Sequence, residues 1–126
     1  MPHSVLLVDD HTILRDGIKT ILDGADFRVV GEAANGADAV RLCLKLRPDL
    51  VLMDIRLPGM NGIEATAEIL RRWPGAKVVI LTMNDSENSV VAAFRAGVRG
   101  FVLKKSSSAD LLNALRTVAV SISVLK

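Results

Sequence analysis

Five short apolar runs alternate with five stretches of helical periodicity along the chain, and this alternation constrains the fold more than any other feature. The runs are Ser4 to Val8, Phe27 to Ala33, Leu50 to Met53, Lys77 to Leu81 and Gly100 to Leu103. Ser4 to Val8, Leu50 to Met53 and Lys77 to Leu81 read as buried strands, continuous apolar runs without the polar alternation of a half-exposed one, and Phe27 to Ala33 and Gly100 to Leu103 as two further strands. Between and after them, apolar residues recur at helical spacing: Ile13, Leu14, Ile18, Ile21 and Leu22; Val40, Cys43 and Leu44; Ile63, Thr66, Ala67 and Leu70; Val90, Val91 and Phe94; Leu111, Leu112, Leu115 and Val118. These stripes are expected to face inward. Strict alternation implies βαβ units with right-handed crossovers, hence a parallel sheet with helices on both faces. The expected class is α/β, a doubly wound five-stranded parallel sheet in the order 2-1-3-4-5 with five helices.

Punctuation supports the boundaries. Asp10 or Thr12 can cap the first helix, which Gly24 ends, and Asn35-Gly36 reads as a turn. The second helix stops before Pro48, the third at Trp73-Pro74-Gly75 and the fourth at Gly97, while Ser106 to Ser108 offer caps for the last. After Thr117 the sequence Val-Ala-Val-Ser-Ile-Ser-Val-Leu-Lys lacks a capping glycine and could extend the helix or alternate as a strand.

With 126 residues, half of them apolar, the chain suffices for one domain with one sizeable core. It carries no run of eighteen apolar residues and no export leader, so a cytoplasmic location is expected. The single cysteine, Cys43, excludes an internal disulfide and reads as a buried small hydrophobe. His3 and His11 lack metal-site spacing and read as surface residues. A net charge of +2, without a basic cluster interleaved with aromatics, gives no nucleic-acid footprint.

Chemistry is concentrated where the apolar runs end. Asp-Leu-Val-Leu-Met-Asp-Ile-Arg-Leu-Pro-Gly-Met-Asn-Gly, Asp49 to Gly62, delivers Asp54 from a buried strand into a loop. The first strand ends in Asp9 and Asp10, the fourth in Thr82 and the fifth in Lys104. In the expected strand order the first and third strands are neighbours at the switch point, where ligands bind outside the strand ends. Asp54 alone is as compatible with opening a turn, an acid pair with capping a helix, and a lysine with solvent. Their joint placement at four strand ends is what points to a site. Three carboxylates in one cleft repel each other unless a cation compensates. Magnesium, held by one or two carboxylates together with phosphate oxygens, is the simplest remedy. An aspartate can then act as nucleophile in phosphoryl transfer, with Lys104 supplying positive charge and Thr82 a hydroxyl donor.

From about Ser4 to Val118 the chain resembles the receiver domains of bacterial two-component response regulators. The resemblance rests on Asp9-Asp10, on Met53-Asp54-Ile55-Arg56-Leu57-Pro58-Gly59 with Gly62, on Thr82 ending Val-Val-Ile-Leu-Thr, and on Ala96 to Lys104. The last motif and the helix beginning at Ser108 are most similar to the NarL/FixJ (LuxR-type) subfamily. The resemblance implies that Asp54 is the phosphoacceptor, taking a phosphoryl group from a sensor histidine kinase. It implies Mg2+ bound by Asp10, its companion Asp9, Asp54 and the backbone carbonyl of Arg56. Thr82 becomes the switch hydroxyl, Lys104 the phosphate-contacting lysine and Phe101 the aromatic that turns inward. The expected output is a changed dimer contact, as in a homodimer formed on phosphorylation, or release of an attached domain, with no membrane partner and DNA contact only through an output domain absent from this chain. The receiver is expected over 1–118, with 119–126 ending the last helix or starting a linker, as in a piece of a longer regulator; the alternative is a receiver acting alone.

The family often has a cis proline after the lysine; here Lys105 stands there, and a cis bond without proline costs about 3 kcal/mol. Arg56 and Asn84 are expected beside the phosphoryl group, where they would tune its hydrolysis. Three rivals share parts of the pattern. A haloacid-dehalogenase-type phosphohydrolase wants an acid where Arg56 stands. A flavodoxin-like flavin module wants a Gly/Ser/Thr-rich first loop where Asp9-Asp10 stands. A pseudo-receiver that only binds protein has no need of all five site residues.

Overall fold

The computed structural model describes residues 2–83 and 87–121. Its elements run β1 (His3–Val8), α1 (Thr12–Asp23), β2 (Phe27–Ala33), α2 (Gly36–Leu46), β3 (Leu50–Asp54), α3 (Gly62–Arg72), β4 (Val78–Thr82), α4 (Glu87–Ala96), β5 (Gly100–Leu103) and α5 (Ser108–Ala119). All strand pairs are parallel and the order is β2-β1-β3-β4-β5, as the alternation requires. Every residue of β3 and β4 is buried.

Alternation of side chains along the strands divides the core into two. Leu6, Val8, Val51, Met53 and Ile80 pack on one face against Val40 and Cys43 of α2, Ala65 and Ile69 of α3 and Ala93 of α4. Val5, Leu7, Leu52 and Leu81 pack on the other against Ile18 and Leu22 of α1 and Leu111 and Leu115 of α5. Cys43 lies in the first of these layers, and burial pushes its thiol pKa up to about 11, which makes it an inert hydrophobe as expected.

Several local expectations are corrected. Neither Asp10 nor Thr12 caps α1: His11 holds the cap position without a side-chain cap bond, and Thr12 is already helical. Asn35-Gly36 is a helix start rather than a free turn, since Asn35 accepts from the Asp38 amide at 2.8 Å. On α3 the buried stripe is Ala65, Thr66 and Ile69, and Ala67 is exposed. Ile13 is 88% exposed and lines the open cleft between α1 and α5 instead of packing under α1. On α4 only the small Ala93 is fully buried among the described side chains, while Val91 and Phe94 lie outward. α4 packs against α3 and meets the core layer through Ala93, which leaves Val91 and Phe94 at the surface. Gly97, at φ 105, ends α4 in a conformation that side-chain-bearing residues rarely adopt. α5 ends at Ala119 with Val120 as its cap, two residues beyond Thr117.

Candidate functional site

The third strand brings Asp54 to the carboxyl end of the sheet, and the following loop folds back tightly upon it. Gly62 donates its amide to the Ile55 carbonyl at 2.8 Å, and a Cβ on Gly62 would lie 2.0 Å from the Asp54 carbonyl oxygen. Only glycine fits this approach. Asn61 caps α3 in a reciprocal capping box with Glu64, and the Thr66 hydroxyl donates to the Gly62 carbonyl, so the floor of the loop is rigid.

β1, the neighbour of β3, delivers Asp9, which is fully buried; Asp54 is 3% exposed. Lys104, immediately after β5, reaches across to both. Its Nζ lies 3.0 Å from Asp9 Oδ2 and 3.1 Å from Asp54 Oδ2, with its own side chain 7% exposed. The register places Thr82, also buried, one residue beyond the β4 partner of Asp54, and its carbonyl accepts from the Lys104 amide at 2.7 Å. Phe101 pairs with Ile80 in the sheet and packs, half-buried, against the core layer under α2 and α3. The Lys104-Lys105 peptide is trans.

Burial pushes the Asp54 pKa above the ordinary carboxylate value, the Lys104 hydrogen bond and charge pull against it, and the acid at Asp9 adds to the rise. For Lys104, burial works to lower the pKa, but the carboxylates of Asp9 and Asp54 outweigh it and the value lies above that of an ordinary lysine. The lysine is therefore a fixed cation. The Arg56 amide donates to Asp54 Oδ1 at 3.3 Å, while the Arg56 side chain is exposed. Asn84 lies outside the described residues.

Ligand atoms of Asp9, Asp10, His11 and Asp54 all fall within 4.8 Å of one another. Three carboxyl groups thus gather around one ammonium. The buried Asp9 Oδ2 is paired with the Lys104 ammonium at 3.0 Å. A donor set of carboxylate oxygens that outnumbers its one bridging cation fits a hard divalent cation.

Two contributors escaped the sequence reading. His11 does not simply face solvent, for its Nδ1 lies 3.2 Å from both Asp9 Oδ1 and Asp10 Oδ1. Arg15 donates through Nη1 to the Asp9 carbonyl and through Nε to Glu32 at 3.1 Å, bracing the acidic loop. The available signal was adjacency: His11 directly follows the acid pair, and Arg15 stands one helical turn later, where side chains lean back toward the helix start. Within the described residues no helix is long and apolar enough to cross a membrane.

A five-stranded 2-1-3-4-5 sheet with an acid pair, a strand-end aspartate and a bridging lysine at one end defines a receiver-type signalling domain. The chain belongs to that family: residues 5–116 match the response regulator receiver domain. It is 39% identical over 125 residues to the nitrate/nitrite response regulator protein NarL of Escherichia coli K12, covering 98% of this chain and 58% of that protein. Likewise it is 42% identical over 117 residues to the response regulator protein VraR of Staphylococcus saprophyticus, covering 92% and 56% respectively. Among solved structures, a LuxR-family two-component response regulator from Aurantimonas superposes with a TM-score of 0.90 at 38% identity, covering 94% of this chain and 86% of that one. CheY of Borrelia burgdorferi, in a complex with CheX, BeF3 and magnesium, superposes with a TM-score of 0.91 at 27% identity, covering 96% and 92%. The chain thus spans a little over half the length of the curated relatives it matches.

Proposed function

We propose that this domain is the phosphorylation-operated switch of a longer transcription regulator, with Asp54 as phosphoacceptor. The observation that carries the reading is the buried Asp9–Lys104–Asp54 cluster at the carboxyl end of the sheet. An Asp54 carboxylate oxygen forms a bond to phosphorus as the bond from phosphorus to an imidazole nitrogen of the kinase phosphohistidine breaks. The leaving imidazole takes up a proton, and the product is an acyl phosphate. Lys104, already a cation 3.1 Å from Asp54, offsets negative charge on the transferred group. Asp9, Asp10, Asp54 and the Arg56 carbonyl would hold magnesium, which when bound adds positive charge at the phosphoryl oxygens.

Phosphorylation then biases a two-state element. The new oxygens draw the Thr82 hydroxyl, and Phe101, on the adjacent strand, moves inward into the space that Thr82 vacates. The unmodified domain already visits that state, since a modification shifts an equilibrium only by its unequal interaction with the two states. The receiver occupies 1–118 in this reading, and 119–126 lead toward an output domain; that the chain spans only 58% of the length of the NarL relative supports it. The reading includes a cytoplasmic setting, a sensor histidine kinase as donor and self-association on phosphorylation. Self-phosphorylation from small donors and slow self-dephosphorylation are the only turnover it allows.

The deciding experiment is intact mass after incubation with magnesium and a small acyl-phosphate donor. One added phosphoryl group, dependent on magnesium and absent in Asp54→Asn, is expected. Rapid consumption of the donor without accumulation would instead indicate a phosphohydrolase, and no modification at all a protein-binding module. Equal self-association of the modified and unmodified forms would remove the dimer component.

A further inference from the structure

We propose that His11 is a fourth side-chain donor of the acidic site, beside its three carboxylates, and turns its preference from magnesium toward nitrogen-seeking divalent ions such as nickel, zinc and cobalt. This rests on the reading of the acidic group as a cation site.

Distance is the first argument. Metal–nitrogen and metal–oxygen bonds in proteins run near 2.0–2.2 Å, so two donors on one ion stand roughly 2.9–3.5 Å apart. His11 Nδ1 is 3.2 Å from Asp9 Oδ1 and 3.2 Å from Asp10 Oδ1, which is already the edge length of a coordination polyhedron. No large movement is needed to bring the imidazole to an ion that the two acids share.

Placement is the second. The His11 amide donates to Asp9 Oδ1 at 2.8 Å, and the residue stands at the start of α1, so the ring is carried by the same short arc of backbone as the acids. Asp9 Oδ2 is taken by the Lys104 ammonium at 3.0 Å, so it is Asp9 Oδ1, on the His11 side, that is left to share an ion with the ring.

Ligand chemistry supplies the direction. Magnesium favours oxygen and keeps its waters, whereas imidazole suits zinc, nickel and copper, and affinity for nitrogen-containing sites rises along the first-row series. A site with three carboxylates and one imidazole therefore gains most for the later ions. The competing account is that the imidazole only hydrogen-bonds or ion-pairs with the acids. Removing it would then free those oxygens and leave every divalent ion bound equally well or better.

Calorimetric titration of the full chain with magnesium, nickel and zinc chlorides separates the two accounts. It should be run on the parent, His11→Ala and His11→Asn, each in a His3→Gln background that removes the only other imidazole. The His11 side chain makes no cap bond, so neither variant threatens α1, and the Asn variant keeps a capping side chain. Nickel and zinc are expected to weaken by at least about tenfold in both variants, while magnesium changes by less than about threefold. The visible spectrum of bound cobalt(II) is expected to shift in the same two variants. An equal change for all ions, or none, overturns the assignment of His11 while leaving the magnesium reading intact. A parent that binds neither magnesium nor nickel at millimolar concentration overturns the cation site itself and this inference with it.

Discussion

The two ends of the sheet solve the same packing problem in opposite ways. At the amino end, polar groups pair off near the surface and close to neutrality. Asp49 accepts from the Ser4 amide at 2.8 Å while its own amide donates to the Ser4 hydroxyl at 2.8 Å, Arg116 binds Asp26 at 3.0 Å, and Lys77 donates to the Ala119 carbonyl at 2.9 Å. At the carboxyl end, Asp9, Asp54 and Lys104 are all but inaccessible, and acids outnumber the cation. Buried charges left partly compensated are costly, and a fold retains them where they serve chemistry. The difference teaches that stability and reactivity are separated along the strand axis of one small domain.

Substitutions at each end test that separation. The largest effect is expected from Lys104→Met, which strands Asp9 and Asp54 without a cation and should cost about 3–5 kcal/mol in urea unfolding at neutral pH. Because protonation relieves the stranded acids, that loss should shrink as the pH falls. A uniform loss at every pH would assign it to packing instead.

Asp54→Asn should act in the opposite direction, with a smaller magnitude. The native pKa of Asp54 is raised, chiefly by burial, so the folded state holds its proton more tightly than the unfolded chain does. Its contribution is complete below the unfolded carboxylate value of about 3.9 and is lost as the pH rises through the higher native value. Asparagine mimics the protonated form. The thermal midpoint should therefore rise in the variant near pH 7, and the gain should vanish in acid.

The amino end should respond less. Asp49→Ala removes the acceptor of the Ser4 amide and hydroxyl and should cost about 1 kcal/mol in urea unfolding near neutral pH. Arg116→Ala should leave the thermal midpoint within error at physiological salt, because its partner Asp26 is half exposed and the pair is screened. A large loss there would contradict the division between the two ends.

The strand order and the site were legible because a buried parallel strand announces itself as an unbroken apolar run, and the polar residue that breaks the run must sit at the strand end. Asp9, Asp54, Thr82 and Lys104 were all found in this way. Helix orientation was less legible. Periodicity shows that α3 is amphipathic, yet Ile63, Thr66, Ala67 and Leu70 fit the spacing about as well as the buried Ala65, Thr66 and Ile69, one residue round the helix. For α4 the sequence shows apolar residues without showing how much neighbouring surface is available, and Phe94 stays 50% exposed. His11 was missed because ligand spacing was sought among histidines and cysteines, whereas its companions are carboxylates placed by the sheet.

The pairing of Lys77 with the Ala119 carbonyl, and of Arg99 with the Ser121 hydroxyl at 3.2 Å, fixes the exit point of the described chain. α5 has twelve residues and spans roughly 18 Å, so Ser121 emerges on the opposite side of the domain from Asp54. Ser121 thus stands at the far pole from the acids, and a change at Asp54 can be felt there only through the body of the domain.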